Sequence, residues 1–253
     1  MPNNGIPSYI KLESVSIETD SVNQGSTIHG IKDLWVESEG VDIGAYEFPI
    51  TFAALLSGNK KIIINAGVWF NDKNTDHRIY PVLETYTAIF DFVEKDTVVI
   101  KPVFKYKAGV DFLYIEDFTT NNNFDKLERS ELSDVNNLEG KCGVLTLSAN
   151  DKTKTAISTT PIEINVGNRV YVEISFKSEA YIGFGIESAF DNKILSTFAI
   201  YEPTPEWHTA YFEITEFISS VKAGQYKFFL NAQKNEDGKE EKVYFDNFKI
   251  LQF

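Results

Sequence analysis

The run Arg169-Val-Tyr-Val-Glu-Ile-Ser-Phe-Lys177, followed closely by Tyr181-Ile-Gly-Phe-Gly-Ile-Glu187, decides the fold. Apolar and polar side chains alternate with a period of two, and successive side chains of a pleated strand leave on opposite faces. Val170, Val172, Ile174 and Phe176 therefore share a core side, and Tyr171, Glu173 and Ser175 face away. In the second run Ile182, Phe184 and Ile186 point inward, with Tyr181, Gly183, Gly185 and Glu187 outward. The same pattern recurs around residues 112–118, 142–148, 195–201, 209–214, 226–232 and 242–251. A helical turn over 216–222, ended by Gly224, interrupts it. Strands at this spacing predict a jelly-roll sandwich over residues 111–253.

Upstream, Tyr9-Ile-Lys-Leu-Glu-Ser-Val-Ser-Ile, Asp33-Leu-Trp-Val-Glu-Ser and Lys60-Lys-Ile-Ile-Ile-Asn read as half-buried strands of an antiparallel meander. Residues 86–93 and 97–106 close it as a hairpin, with Pro102 marking an edge or a bulge. Residues 70–83 read as a long polar loop. The reading is an all-β chain of two tandem domains: a tether at 1–6, a β-sandwich at 7–107, and the jelly roll at 111–253. A length of 253 residues suits two ordinary cores, and Phe and Tyr supply most of a 14% aromatic content.

The formal net charge is −13, with acidic residues scattered rather than gathered in a tail. Such a surface repels phosphate backbones and argues against nucleic acid as a partner. The single Cys, Cys142, sits in an alternating apolar run and reads as core. His29, His77 and His208 lack zinc-site spacing, and His208 is expected on the surface next to Trp207. No Gly-x-Ser-x-Gly elbow or phosphate-cradling glycine loop is present, and Gly183-Phe-Gly is too strand-like for a dinucleotide fingerprint.

Residues 7–106 resemble the N-terminal domain of uncharacterised Bacteroidota cell-envelope lipoproteins. The resemblance lies in Ile6-Pro-Ser-Tyr-Ile, Ile31-Lys-Asp-Leu-Trp-Val, Gly44-Ala-Tyr-Glu-Phe-Pro-Ile-Thr-Phe, and Ile79-Tyr-Pro with Tyr86. The unit from 36 to 64 is also similar to a PEGA-type repeat. These resemblances imply an Ig-like β domain, an N-terminal lipid anchor and an outer-membrane or cell-surface location. Residues 111–253 resemble galactose-binding-like jelly rolls, the fold of many carbohydrate-binding modules. That resemblance lies in Tyr114-Ile-Glu-Asp-Phe, Thr204-Pro-Glu-Trp-His-Thr-Ala-Tyr-Phe-Glu-Ile and Val243-Tyr-Phe-Asp-Asn-Phe-Lys-Ile. It implies a structural Ca2+ at Glu116, Asp117 and Asp246; a bulge in which Asp246 and Asn247 bond the backbone is the other reading of the last pair.

One outward face carries the functional expectation. If the two deciding strands are neighbours, Tyr171 and Glu173 lie beside Tyr181 and Glu187, and the strand at 226–232 adds Phe229 and Asn231. Flat aromatics beside planar polar groups suit a sugar, and equally a protein or interdomain contact. The expected function is a non-catalytic, lipid-anchored surface protein that binds glycan or another surface ligand. The alternatives are a structural accessory subunit of an outer-membrane protein complex and a hydrolase whose carboxylates escape recognition.

Overall fold

Alternation becomes paired strand in both halves of the chain. Residues 5–165, 167–221 and 224–253 are described by the computed structural model, with backbone alone for Ile194, Leu195 and Val221. They separate into two units, residues 5–19 with 27–108, and residues 20–26 with those described from 109 to 253. The chain is all-β, with two sheet-rich regions.

The first unit holds β1 (Ser8–Leu12), β2 (Ser16–Glu18), β3 (Asp33–Ser38), β4 (Val41–Glu47), β5 (Ile50–Ala54), β6 (Gly58–Trp69), β7 (His77–Ile79), β8 (Tyr86–Phe92), β9 (Thr97–Ile100) and β10 (Val103–Lys105). They form a β5-β1-β9 sheet, a β10-β2 pair, and a β4-β3-β6-β7 sheet in which β8 also pairs with β6. Ile10, Leu12, Leu34, Val36, Ile62, Ile64 and Phe104 are buried between them. The structure corrects the simple meander, because β1 runs parallel to β9 and β2 parallel to β10. It also places β7 inside the expected loop at 70–83, where His77 and Ile79 pair with β6. Pro102, which has no N–H to donate, lies in the break between β9 and β10.

The second unit holds β11 (Asp111–Glu116), β12 (Glu128–Arg129), β13 (Gly143–Leu147), β14 (Thr153–Ile157), β15 (Ile162–Glu163), β16 (Val170–Ser178), β17 (Tyr181–Ser188), β18 (Ile194–Tyr201), β19 (Thr204–Glu213), α1 (Thr215–Val221), β20 (Gln225–Gln233) and β21 (Glu241–Gln252). One sheet runs β12-β13-β21-β16-β19, with β11 beside β21; the other runs β14-β20-β17-β18, with β15 beside β20. Strands β12, β14 and β15 were not expected, since they are short and Thr153-Lys-Thr lacks apolar alternation. The helix matches the expected turn as far as Val221; Lys222 lies outside the described residues.

Between these sheets lies an aromatic core. The Phe228 ring of β20 packs tilted against Phe248 of β21, 4.1 Å centroid to centroid, and also touches Phe124, Phe184, Phe198 and Phe245. Offset and edge-on ring pairs of this kind add to the burial of apolar area. Cys142 is buried, and burial pushes its thiol up to about 11, so it is packing rather than a reactive thiolate. His208 is not the surface residue expected: it pairs with Phe176 and packs edge-on to that ring at 5.4 Å, on the core side of β19.

Replacing Phe228 with Ala is expected to cost the second unit about 3–5 kcal/mol, the usual range for deleting a buried aromatic. Chemical denaturation reads this directly. A loss below about 1 kcal/mol would mean that this ring does not join the sheets.

Candidate functional site

The outward residues of the second unit's β14-β20-β17-β18 sheet form the candidate site. Inward burial of Ile182, Phe184 and Ile186 on β17, and of Tyr226, Phe228 and Leu230 on β20, turns the intervening residues to the other face. Antiparallel register then sets them in rows: Gln233 beside Tyr181, Thr155 beside Asn231 beside Gly183, Ile157 beside Phe229 beside Gly185, and Lys227 beside Glu187. Tyr181, Glu187, Phe229 and Asn231 are thereby brought to one face of the sheet.

Two adjoining cavities lie on this surface. One of about 580 Å³ is lined by Thr155, Tyr181, Gly183, Asn231 and Gln233 among others; the next, of about 610 Å³, by Asp125, Thr159 and Lys227. Ile157, Glu187 and Asn192 line both. Gly183, and the Phe229 ring that covers Gly185, make the floor. A Cβ on Gly185 would fall 2.2 Å from the Phe229 ring and 2.4 Å from Ser196 O, so only glycine fits there. Gly183 has room, since its Cβ would meet Thr197 at 3.5 Å.

Phe229 is therefore not the exposed platform expected of it. It is 4% exposed, with its ring against Gly185, and belongs to the floor. Tyr181, 38% exposed, is the accessible aromatic of the set. Asn231 Nδ2 donates to Thr155 Oγ1 at 2.6 Å, which orients the amide across the groove. Glu187 is buried opposite Lys227; burial raises its pKa, partly offset by that lysine.

Tyr171 and Glu173 do not belong to this face. Strands β16 and β17 lie in different sheets, so the chain crosses the sandwich at Glu179 and Ala180, and the assumption that the deciding strands are neighbours is overturned. Tyr171 is 3% exposed and cannot offer its ring. Glu173 lies 3.8 Å from Lys249, a buried pair in which burial depresses the lysine pKa. Lys249 Nζ also donates to Ser26 O at 3.1 Å.

The acidic residues at the chain's early and final strands are arranged differently from one another. Both Glu116 oxygens accept backbone N–H groups, from Phe118 at 3.0 Å and Asn123 at 2.8 Å. Glu116 therefore pins the 117–123 loop, and it is not among the residues that line the cavity at Asp117 and Asp246. Asp246 and Asn247 do form a bulge, with one extra residue on β21 between the Glu173 and Ser175 pairings, and Asp246 Oδ1 accepts the Asn247 N–H at 2.8 Å. Asp246 is 1% exposed and its Oδ2 has no hydrogen-bond partner. It lines a cavity of about 200 Å³ together with Asp117, Glu139, Ser26 and Asn247. Asp117 and Asp246 thus suit an oxygen-loving cation, although among the described residues no three His, Cys, Asp or Glu gather as ready ligands. Burial pushes Asp246 up to about 8, opposed by the Asn247 N–H and reinforced by Asp117, Glu139 and Glu116.

No family model matches the chain, and no curated protein does. Solved structures do resemble it in fold. They include the carbohydrate-binding module TmCBM61 in complex with β-1,4-galactotriose, at 15% identity and TM-score 0.32 over 45% of this chain and 72% of that one. A second is the family 11 carbohydrate-binding module from Clostridium thermocellum in complex with a β-1,3-1,4-mixed-linked tetrasaccharide, at 12% identity and TM-score 0.37 over 54% and 93%. A third comes from work on promiscuous carbohydrate-binding modules of the β-sandwich superfamily, at 16% identity and TM-score 0.40 over 99% and 100%.

The raised Asp246 pKa has a measurable consequence. Between the unfolded carboxyl value of about 4 and about 8, the native state holds a proton that the unfolded chain has lost, so this group makes stability fall as pH rises through that window. In chelator, the melting temperature should fall over that range more for the wild type than for Asp246→Asn. Equal slopes would show that Asp246 ionises without penalty.

Proposed function

We propose that the chain is a non-catalytic glycan-binding protein whose ligand lies across the outer face of the β14-β20-β17-β18 sheet. The observation that carries this reading is the groove over Gly183, flanked by Asn231, Gln233, Thr155 and Tyr181, with the Phe229 ring beside it. A sugar presents apolar ring faces and a rim of hydroxyls. Bare backbone admits the ring closely, Tyr181 stacks on it, and amides and hydroxyls meet the rim. Two adjoining cavities give room for an oligosaccharide rather than a monosaccharide. The net charge of −13 favours neutral over polyanionic chains.

Affinity electrophoresis in gels containing β-1,4-galactan or mixed-linkage β-1,3-1,4-glucan tests this, with Tyr181→Ala and Gly183→Val beside the wild type. Tyr181→Ala should weaken binding about tenfold, equivalent to roughly 1.4 kcal/mol. Gly183→Val should fill the groove while leaving the melting temperature nearly unchanged. Equal retardation of all three proteins would place any glycan site elsewhere.

The same reading includes a structural Ca2+ held by Asp117 and Asp246, supported by the partnerless Asp246 Oδ2 facing hard-oxygen neighbours. A cation that binds only the folded state stabilises it by mass action. Calcium added after chelation should raise the melting temperature of the wild type and not that of Asp246→Asn. An unchanged wild-type melting curve would remove the ion from the reading.

A further inference from the structure

We propose that the first unit carries a sugar-binding site of its own, on the outer face of the β4-β3-β6 sheet around Trp35. Inward burial of Leu34 and Val36 turns Asp33, Trp35 and Glu37 outward. Across the strands Trp35 has Ala45 on one side and Asn65 on the other, and Glu37 has Asp42 and Ile63. Ala45 is small enough to leave the indole uncovered on its flank. A cavity of about 300 Å³ results, lined by Trp35, Glu37, Asp42, Asn65 and Ile79 among others. That volume is at the low end of small-molecule sites and suits a short ligand.

The indole is fixed in place rather than merely packed. Trp35 Nε1 donates to Asp33 Oδ1 at 2.7 Å, Asp33 is 2% exposed, and its other oxygen pairs with His77. Gly67 makes the brace possible, because a Cβ there would fall 1.8 Å from Asp33 Oδ1 and 2.7 Å from Trp35 Nε1. An Asp, a His and a Gly thus hold a half-buried tryptophan on an outer face, where an ordinary core ring needs no such support.

The surrounding chemistry names the ligand class. With its N–H satisfied internally, the indole offers only its ring face, which suits the C–H face of a pyranose. Glu37 and Asp42 are acceptors for hydroxyl hydrogens, and Asn65, whose Oδ1 accepts from Thr85 Oγ1 at 2.7 Å, keeps amide hydrogens to donate. No basic residue lines the cavity, so two carboxylates exclude phosphate, sulfate and uronate groups. The occupant is a neutral sugar. The site goes beyond the groove of the second unit and stands or falls separately from it.

The test uses the full chain and the two polysaccharides named above, in the Gly183→Val background that fills the groove. That protein should still be retarded, and oligosaccharides cut from the same polysaccharides should still change its tryptophan emission. Adding Trp35→Ala should weaken the remaining binding at least tenfold, and Trp35→Phe, which keeps a ring but loses the brace, should fall between. Should Trp35→Ala fail to fold, the surface pair Glu37→Gln with Asp42→Asn should weaken the same binding. If wild-type binding is abolished by Gly183→Val alone and untouched by the Trp35 and carboxylate variants, the groove stands and this site does not. No binding by the wild type to either polysaccharide overturns both.

Discussion

The tilted packing of Phe228 against Phe248, 4.1 Å between centroids, joins the two sheets of the second unit and fixes the facing of the strands that carry the rings. Side-chain facing in a strand alternates strictly, so anchoring Phe228 inward forces Phe229, Asn231 and Gln233 outward. Phe184, which stacks on Phe228 at 6.0 Å, does the same for Gly183 and Gly185 on β17. The groove is therefore the reverse side of the core. A slip of one residue in either strand would bury the amides and expose the rings.

Alternation creates an outward face on both sheets, yet the two faces have different fates. On the five-stranded sheet the outward residues line open cavities. On the six-stranded sheet Tyr171, Glu173, Lys249 and Leu251 are all buried, although their types are those of a surface in three cases out of four. Segment 20–26 accounts for part of that cover, since a Cβ on Gly25 would come within 3.2 Å of both Ile115 and Lys249. Lys249 stays tolerable there because Glu173 and the Ser26 carbonyl receive its charge and hydrogens.

Much of the fold was legible because period two is a local signal. It assigns the inward sets Val170 to Phe176 and Ile182 to Ile186, and all of them are buried. Pairing partners were not legible, because alternation tells a strand which way its residues face and not which strand lies beside it. The two-residue link at Glu179 and Ala180 looks like a hairpin turn and is a crossing between sheets. Asn247 shows the other limit: its extra residue in β21 lets Phe245 and Phe248 both face inward, three positions apart, where strict alternation would turn one of them out. The brace at Trp35 is not legible in the sequence either, since Asp33, Gly67 and His77 are distant in sequence and meet only through the β3-β6-β7 register.

Backbone amide chemical shifts during titration with β-1,4-galactan or mixed-linkage glucan oligosaccharides test the central claim most directly. A bound sugar lying against Gly183 should move the amide signals of Tyr181, Gly183 and Asn231 together, saturably and with one affinity, because these residues line one cavity. Saturable binding that leaves those three signals in place would contradict the claim that this face holds the glycan.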